Sequence, residues 1–184
     1  MQQEEINNLI FRSRQNDQTA FRKIVETHQN LVYSLAFRLL GNDEDAQDIV
    51  QETFIKVWKY LSHFNTEMRF TTWLYKIAVN LCYDRIKSLK RRNNTISFDI
   101  ENLALLNQSS LENLETNIIN HELAQLIKLL TFDLPPKQRL VFILRDLEGL
   151  EIDEIETITG LSAKKIKSNI YCARQFIREK LENI

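Results

Sequence analysis

Apolar residues recur along this chain at intervals of three and four, the spacing of one face of a helix. Ala46, Val50, Phe54, Val57 and Leu61 make one such stripe, and Trp73, Leu74, Ile77, Ala78 and Leu81 make a second. Ile166, Ile170, Ala173, Ile177 and Leu181 make a third. No stretch alternates apolar and polar cleanly, and no Asn-Gly or Asp-Gly hairpin turn occurs. The pattern predicts helices at about 3–14, 17–40, 42–62, 70–92, 111–131, 135–147, 151–159 and 162–182. The fold class is all-α.

Punctuation supports these bounds. The chain has 3 glycines and 2 prolines. Gly41, Gly149 and Gly160 each follow a helix-period run, where a left-handed C-terminal cap is wanted. Pro135 and Pro136 stand where a helix begins, the place proline fits a helix. Asn42 and Ser162 are good N-caps, and Asp43, Glu44 and Asp45 suit the positive end of a helix dipole.

Between Asn93 and Glu122 there are five acids, seven asparagines and no Lys or Arg. With weak periodicity up to Leu111, this stretch reads as an acidic linker, although an ordinary surface loop has the same ingredients. The expected organisation is two small helical domains: 1–92, then the linker at 93–122, then 123–184. The C-terminal domain is the expected helix-turn-helix.

Charge is balanced overall but sorted locally. The 184 residues carry 24 Lys+Arg and 25 Asp+Glu, a formal net charge of -1. Global charge therefore gives no drive toward nucleic acid. Leu39–Ile55 holds five acids and no bases, while Arg85–Arg92 holds five bases (Arg85, Lys87, Lys90, Arg91, Arg92) and no acids. Asp146–Ala163 carries acids only, and Lys164–Lys180 carries six bases and one acid. One basic run is usually a solvated face; two, each at the end of a domain, suit a protein touching a phosphate backbone at two places.

Three candidate surfaces follow. Opposite its apolar stripe, the 70–92 helix presents Lys76, Asn80, Tyr83, Lys87 and Arg91, a mixture that could hold phosphates and stack on bases. Trp73 is balanced between a core role and a base-facing one. At the C-terminal end, Ile152, Ile155 and Ile158 line a short helix, Thr159-Gly160-Leu161 turns, and the next helix offers Lys164, Lys165, Lys167, Ser168, Tyr171 and Arg174. The first residues of such a second helix reach base edges in a major groove, although plain helical hairpins share the pattern. The third helix is acidic at its start, with Asp45, Asp48, Gln51 and Glu52 facing outward, a face that DNA would repel and that suits a basic protein surface.

Other chemistries lack support. Cys82 and Cys172 are far apart with no CxxC. His28, His63 and His121 show no metal-ligand spacing and are expected on surfaces or helix rims. There is no glycine-rich phosphate loop or nucleophile motif. No enzyme, cofactor or metal is expected. No apolar run approaches the roughly 20 residues of a membrane helix, and the N-terminus lacks the layout of a secretory signal, so no membrane insertion is expected and the chain looks cytoplasmic.

Three segments, Asp45–Leu61, Phe70–Arg92 and Leu134–Leu181, together and in this order, resemble a bacterial RNA polymerase sigma factor of the sigma-70 family, of the small extracytoplasmic-function (ECF) type. The resemblance covers about 18–92 and 130–181, most of the chain. It implies a subunit that does no covalent chemistry, binds core RNA polymerase and directs promoter-specific initiation. Asp45, Asp48, Gln51 and Glu52 would dock on the clamp of the largest polymerase subunit, and the C-terminal domain would meet the flap of the second largest. Loop His63–Arg69 with Trp73, Lys76, Asn80, Tyr83, Lys87 and Arg91 would recognise and open the minus-10 element by capturing a flipped base. Lys164, Lys165, Lys167, Ser168 and Arg174 would read the minus-35 element. The resemblance also implies an anti-sigma partner.

The chain departs from the family pattern at Thr71, where an arginine is common, at Lys164-Lys165-Ile166-Lys167-Ser168-Asn169, and at Cys172, which replaces a usual basic residue. A stand-alone helix-turn-helix regulator with a sensing domain is a rival, against which the aromatic and basic 70–92 helix speaks. A helical adaptor with no DNA role is a second rival.

Overall fold

The last turn of the first helix is tied down by polar contacts. In a computed structural model describing residues 3–95 and 130–182, with backbone alone for Lys90 and residues 92–95, α1 spans Gln3–Arg14. It buries Ile6, Leu9, Ile10 and Ser13, one stripe at helical spacing. Arg12 pairs with Asp17 at 2.6 Å, and Asp17 in turn caps α2 (Gln18–Leu40) by accepting from the Ala20 N–H at 3.0 Å. Arg14 donates to the carbonyl oxygens of Leu61 (3.0 Å) and Phe64, which fastens α1 to the far end of the third helix.

Helix α2 ends at Gly41, whose φ of 70° lets its N–H turn back to the Phe37 oxygen at 2.8 Å. Asn42 then caps α3 (Asp43–Tyr60) by accepting from the Asp45 N–H at 2.9 Å. A 3₁₀ turn, Leu61–His63, leads to the loop before α4 (Phe70–Thr95). Helices α2, α3 and α4 pack around Ile24, Val32, Leu35, Ala46, Val57, Leu74 and Ala78. Phe70 sits edge-on to His28 and Phe64, with ring centroids 5.1 and 5.7 Å away. His28 is therefore a core residue, not the rim residue expected. Its Nδ1 bonds the Ile24 oxygen at 2.8 Å, and burial holds its pKa below the ordinary 6.5.

The second helical set starts with Leu130 and Thr131, both helical and buried. Helix α5 (Pro136–Phe142) opens on Pro135 and Pro136, and continues into a π-turn, Ile143–Leu147. The predicted 135–147 helix is thus two pieces. The wider turn bonds the Glu148 N–H back to the Ile143 oxygen at 2.9 Å and aims Glu148 away from its own set. Helix α6 (Ile152–Thr159) begins with a capping box between Glu151 and Glu154 and ends at Gly160, φ 69°. Helix α7 (Ala163–Glu182) follows.

Ser162 occupies the cap position of α7 by its backbone, accepting from the Ile166 N–H at 3.0 Å, and Glu156 accepts from the Ala163 N–H at 2.5 Å. Helix α7 buries Ile166, Ile170 and Ala173, whereas Ile177 is half-buried and Leu181 is 50% exposed. The expected stripe therefore stops short of the helix end.

Buried residues of both sets join one apolar cluster, and α6 packs on α4. The two helical sets therefore lie against each other. Asn93–Thr95 continue α4. The rest of the expected linker, most of the helix expected at 111–131, and His121 lie outside the described residues. Among the described residues no strand occurs, and no helix is long and apolar enough to cross a membrane.

Candidate nucleic-acid interface

Helix α7 presents its basic turn to solvent. Lys164, Lys165, Lys167, Ser168 and Tyr171 are exposed on the face opposite Ile166, Ile170 and Ala173. This face comes from the apolar spacing: burying positions 166, 170 and 173 forces 164, 165, 167 and 168 outward. Arg174 is exposed too, but its Nε and Nη2 meet the two Asp146 oxygens at 3.2 and 2.5 Å, which raises the guanidinium pKa above its ordinary value. It is thus held in place by an acid from the turn after α5. A groove beside it is lined by Arg145, Lys167, Ile170, Tyr171 and Arg174.

Helix α4 is less two-sided than its sequence suggested. Leu74, Ala78 and Leu81 are buried as expected, but so are Tyr75, Val79 and Cys82. The helix is covered on two sides, by α2 with α3 and by α6. Lys76, Asn80, Lys87 and Arg91 remain exposed. Trp73 is half-buried, packed on Phe64 and Phe70 with centroids 4.9 and 5.9 Å away. Tyr83 does not join the outward face: it is half-buried and its hydroxyl points to the Pro136 oxygen at 3.4 Å. Burial raises its pKa.

The α4 basic run is also shorter than its sequence implied. Arg85 donates from Nε to Asp45 at 2.6 Å and from Nη2 to Asp48 at 3.2 Å. The Asp45 contact, first, lifts the Arg85 pKa. This pair binds α4 to α3, so Asp45 is an internal partner and not part of an open acidic face. Asp48, Gln51 and Glu52 are exposed, and Ile55 (66%) and Trp58 (38%) stand exposed beside them.

Sequence reasoning missed the residues that join the two sets. Glu148 pairs with Arg38 and accepts from the Tyr75 hydroxyl at 2.6 Å. Burial, then Glu148, pushes the Tyr75 pKa far up, so the hydroxyl stays a donor. Glu154 accepts from Arg69 Nη1 at 3.1 Å and Thr72 Oγ1 at 3.0 Å. Arg139 reaches the Leu39 oxygen at 3.1 Å and lies over the Phe132 ring, 4.4 Å from its centroid; burial lowers its pKa. The one signal in the sequence was the all-acid run from Asp146, which needed basic company.

The family model for Sigma-70 region 2 matches residues 24–92, and that for Sigma-70, region 4 matches residues 133–177. The ECF RNA polymerase sigma factor SigW of Bacillus subtilis (strain 168) is 31% identical over 184 residues, covering 97% of this chain and 98% of that protein. The ECF RNA polymerase sigma-E factor of Escherichia coli (strain K12) is 34% identical over 181 residues, covering 95% and 93%. Two solved structures share the fold. CnrH in complex with the cytosolic domain of CnrY has a TM-score of 0.69 at 22% identity, over 97% of this chain and 98% of that one. The sigma factor RpoE in complex with the anti-sigma factor NepR from Bartonella quintana has 0.72 at 22% identity, over 88% and 96%. With both sigma-70 regions present in order and the relatives matched nearly end to end, this chain belongs to the ECF group of the sigma-70 family, whose members direct promoter-specific transcription initiation.

Proposed function

We propose that the chain works as a non-catalytic specificity subunit with three surfaces. The exposed basic turn of α7, Lys164, Lys165, Lys167 and Ser168, enters the major groove of the minus-35 element, with Arg174 held on an adjacent phosphate by Asp146. The loop His63–Arg69 and the α4 residues Trp73, Lys76, Asn80, Lys87 and Arg91 engage the minus-10 element, with Tyr83 reached only when its contact with Pro136 opens. Asp48, Gln51 and Glu52 dock on the polymerase clamp, assisted by Ile55 and Trp58, since interface cores favour apolar and aromatic residues within a charged rim. Asp45 contributes by holding α4 against α3.

The observation that carries this reading is the separation of surfaces on one chain: an exposed basic turn on α7 and an exposed acidic face on α3. A DNA-only binder has no use for the second. Near-zero net charge gives the free chain little affinity for duplex, and core polymerase supplies it by holding two weak readers in register. The working compartment is the bacterial cytoplasm. The solved complex of RpoE with the anti-sigma factor NepR, a protein of the same fold, supports an anti-sigma partner here too.

A gel shift on promoter duplex, with and without core polymerase, tests the reading. Specific complexes that need polymerase support it. Tight, palindrome-dependent binding by the chain alone would favour the stand-alone regulator.

A further inference from the structure

A cavity of about 330 Å³ lies beside the second half of α4. Its walls are mainly apolar: Leu39 and Leu40 from the end of α2, and Ile86 and Leu89 from α4. Cys82 adds a buried thiol, and burial pushes its pKa up to about 12, so it stays neutral. Leu89 (37% exposed) and Phe132 (44%) stand at the mouth, where the cavity meets solvent. The volume lies in the range of small-molecule sites, about 300–1,000 Å³.

One cation interrupts the apolar wall. Arg139 of α5 lines the same cavity. Its Nη1 donates to the Leu39 oxygen at 3.1 Å and its Nη2 to the Phe132 and Leu134 oxygens, so each of these partners is a neutral carbonyl. Its Nε is buried with no hydrogen-bond partner. Asp133 bears on it only at a distance and is paired with Lys180. A guanidinium carries several N–H donors and a charge that is costly to bury without a counter-ion. An apolar cavity with one under-paired guanidinium in its wall matches a ligand with an apolar tail and a single anionic head.

We propose that this cavity binds a medium-chain aliphatic carboxylate, its tail of about eight to ten carbons among Leu39, Leu40, Ile86 and Leu89 and its head on Arg139, a length set by the room for roughly ten water-sized groups of about 30 Å³ each. The carboxylate supplies the missing counter-charge through charge-assisted bonds from N–H groups that the carbonyls leave unspent. The tail gains by leaving water for walls that offer it no competing polar group. Apart from Tyr83, which also lines the cavity, the site uses none of the residues assigned above to DNA or polymerase, so it stands or falls independently of that reading.

The test is isothermal titration calorimetry on the full chain with butanoate, hexanoate, octanoate and decanoate, all below micelle-forming concentrations. Affinity should rise about fourfold for each added methylene, the gain from burying one CH₂, and level off once the cavity is full. Octanoate should bind about tenfold tighter than octanamide, the gap between charged and neutral hydrogen bonds. Octylamine, repelled by Arg139, should not compete.

Two variants locate the site. Arg139→Gln should erase the preference for octanoate over octanamide. Leu40→Trp, which fills the tail space, should weaken both by about tenfold or more, the loss of two or more buried methylenes. Circular dichroism checks folding, and if either variant unfolds, the comparison of octanoate, octanamide and octylamine on the unaltered chain decides alone. No saturable binding, the result expected if another part of the chain fills the space, would overturn the proposal. So would affinity that ignores tail length, equal binding of octylamine, or full binding by a folded Leu40→Trp variant.

Discussion

Arg85 of α4 donates to Asp45 of α3 at 2.6 Å, so the basic and acidic runs that stand apart in the sequence are partly neutralised by each other. Asp45 is 15% exposed at its side chain and Arg85 36%, which places the pair at a rim and not in the core. Arg85→Ala should lower stability by about 0.5–1 kcal/mol, the range for partly exposed pairs. Chemical denaturation at low and high salt checks this: the deficit should shrink as salt screens the pair.

Glu52→Lys should behave differently. Glu52 is exposed on α3, so its thermal unfolding should stay close to wild type. Association with core polymerase should weaken about tenfold, as expected for reversing a charge at a complementary interface. Surface plasmon resonance on immobilised core polymerase gives the comparison, and unchanged binding would remove α3 from the docking surface.

Phe70→Ala should be far more damaging than either. Phe70 is 2% exposed and packs against Phe64, Trp73 and His28. Its loss should cost about 3–5 kcal/mol. It should also loosen Trp73, so the near-ultraviolet circular dichroism of the folded variant should fall.

The lysines of α7 should show up as salt dependence. Lys164, Lys165 and Lys167 are exposed and lie within four residues of the α7 start. For polymerase carrying the chain with all three changed to Ala, the slope of log binding constant against log salt should be smaller by about 0.9 for each lysine that met a phosphate. A slope identical to wild type would show that α7 does not touch the DNA backbone.

His28 gives stability a pH dependence. Its folded pKa lies below the ordinary 6.5, because burial disfavours the imidazolium. The unfolded chain therefore binds the proton more readily. The stabilising contribution is fully present above about 6.5 and is lost as pH falls toward the folded value. Denaturation midpoints at pH 7.5 and 5.5 should diverge more for wild type than for His28→Gln.

Much of this was legible in residue order because local signals and packing agree. Asp17, Gly41, Asn42 and Gly160 cap where their chemistry says they should, and the buried positions 166, 170 and 173 fix which lysines face out. What was not legible depends on packing between distant elements. Tyr75 and Cys82 looked like ordinary helix positions and are buried only because α4 has neighbours on two sides. The burial of His28 is not legible in the sequence, because nothing near it there announces Phe70. Arg85 and Asp45 each looked free because their partners lie forty residues away. The same blindness hid Glu148 and Glu154.

The most direct test of the central claim is run-off transcription on a genomic fragment library, comparing purified core polymerase with and without this chain. The account predicts a new, restricted set of start sites that appears only when the chain is added and disappears with Lys164, Lys165 and Lys167 changed to Ala. Start sites that are the same in its presence and absence, from a chain that does not co-elute with the polymerase, would contradict it.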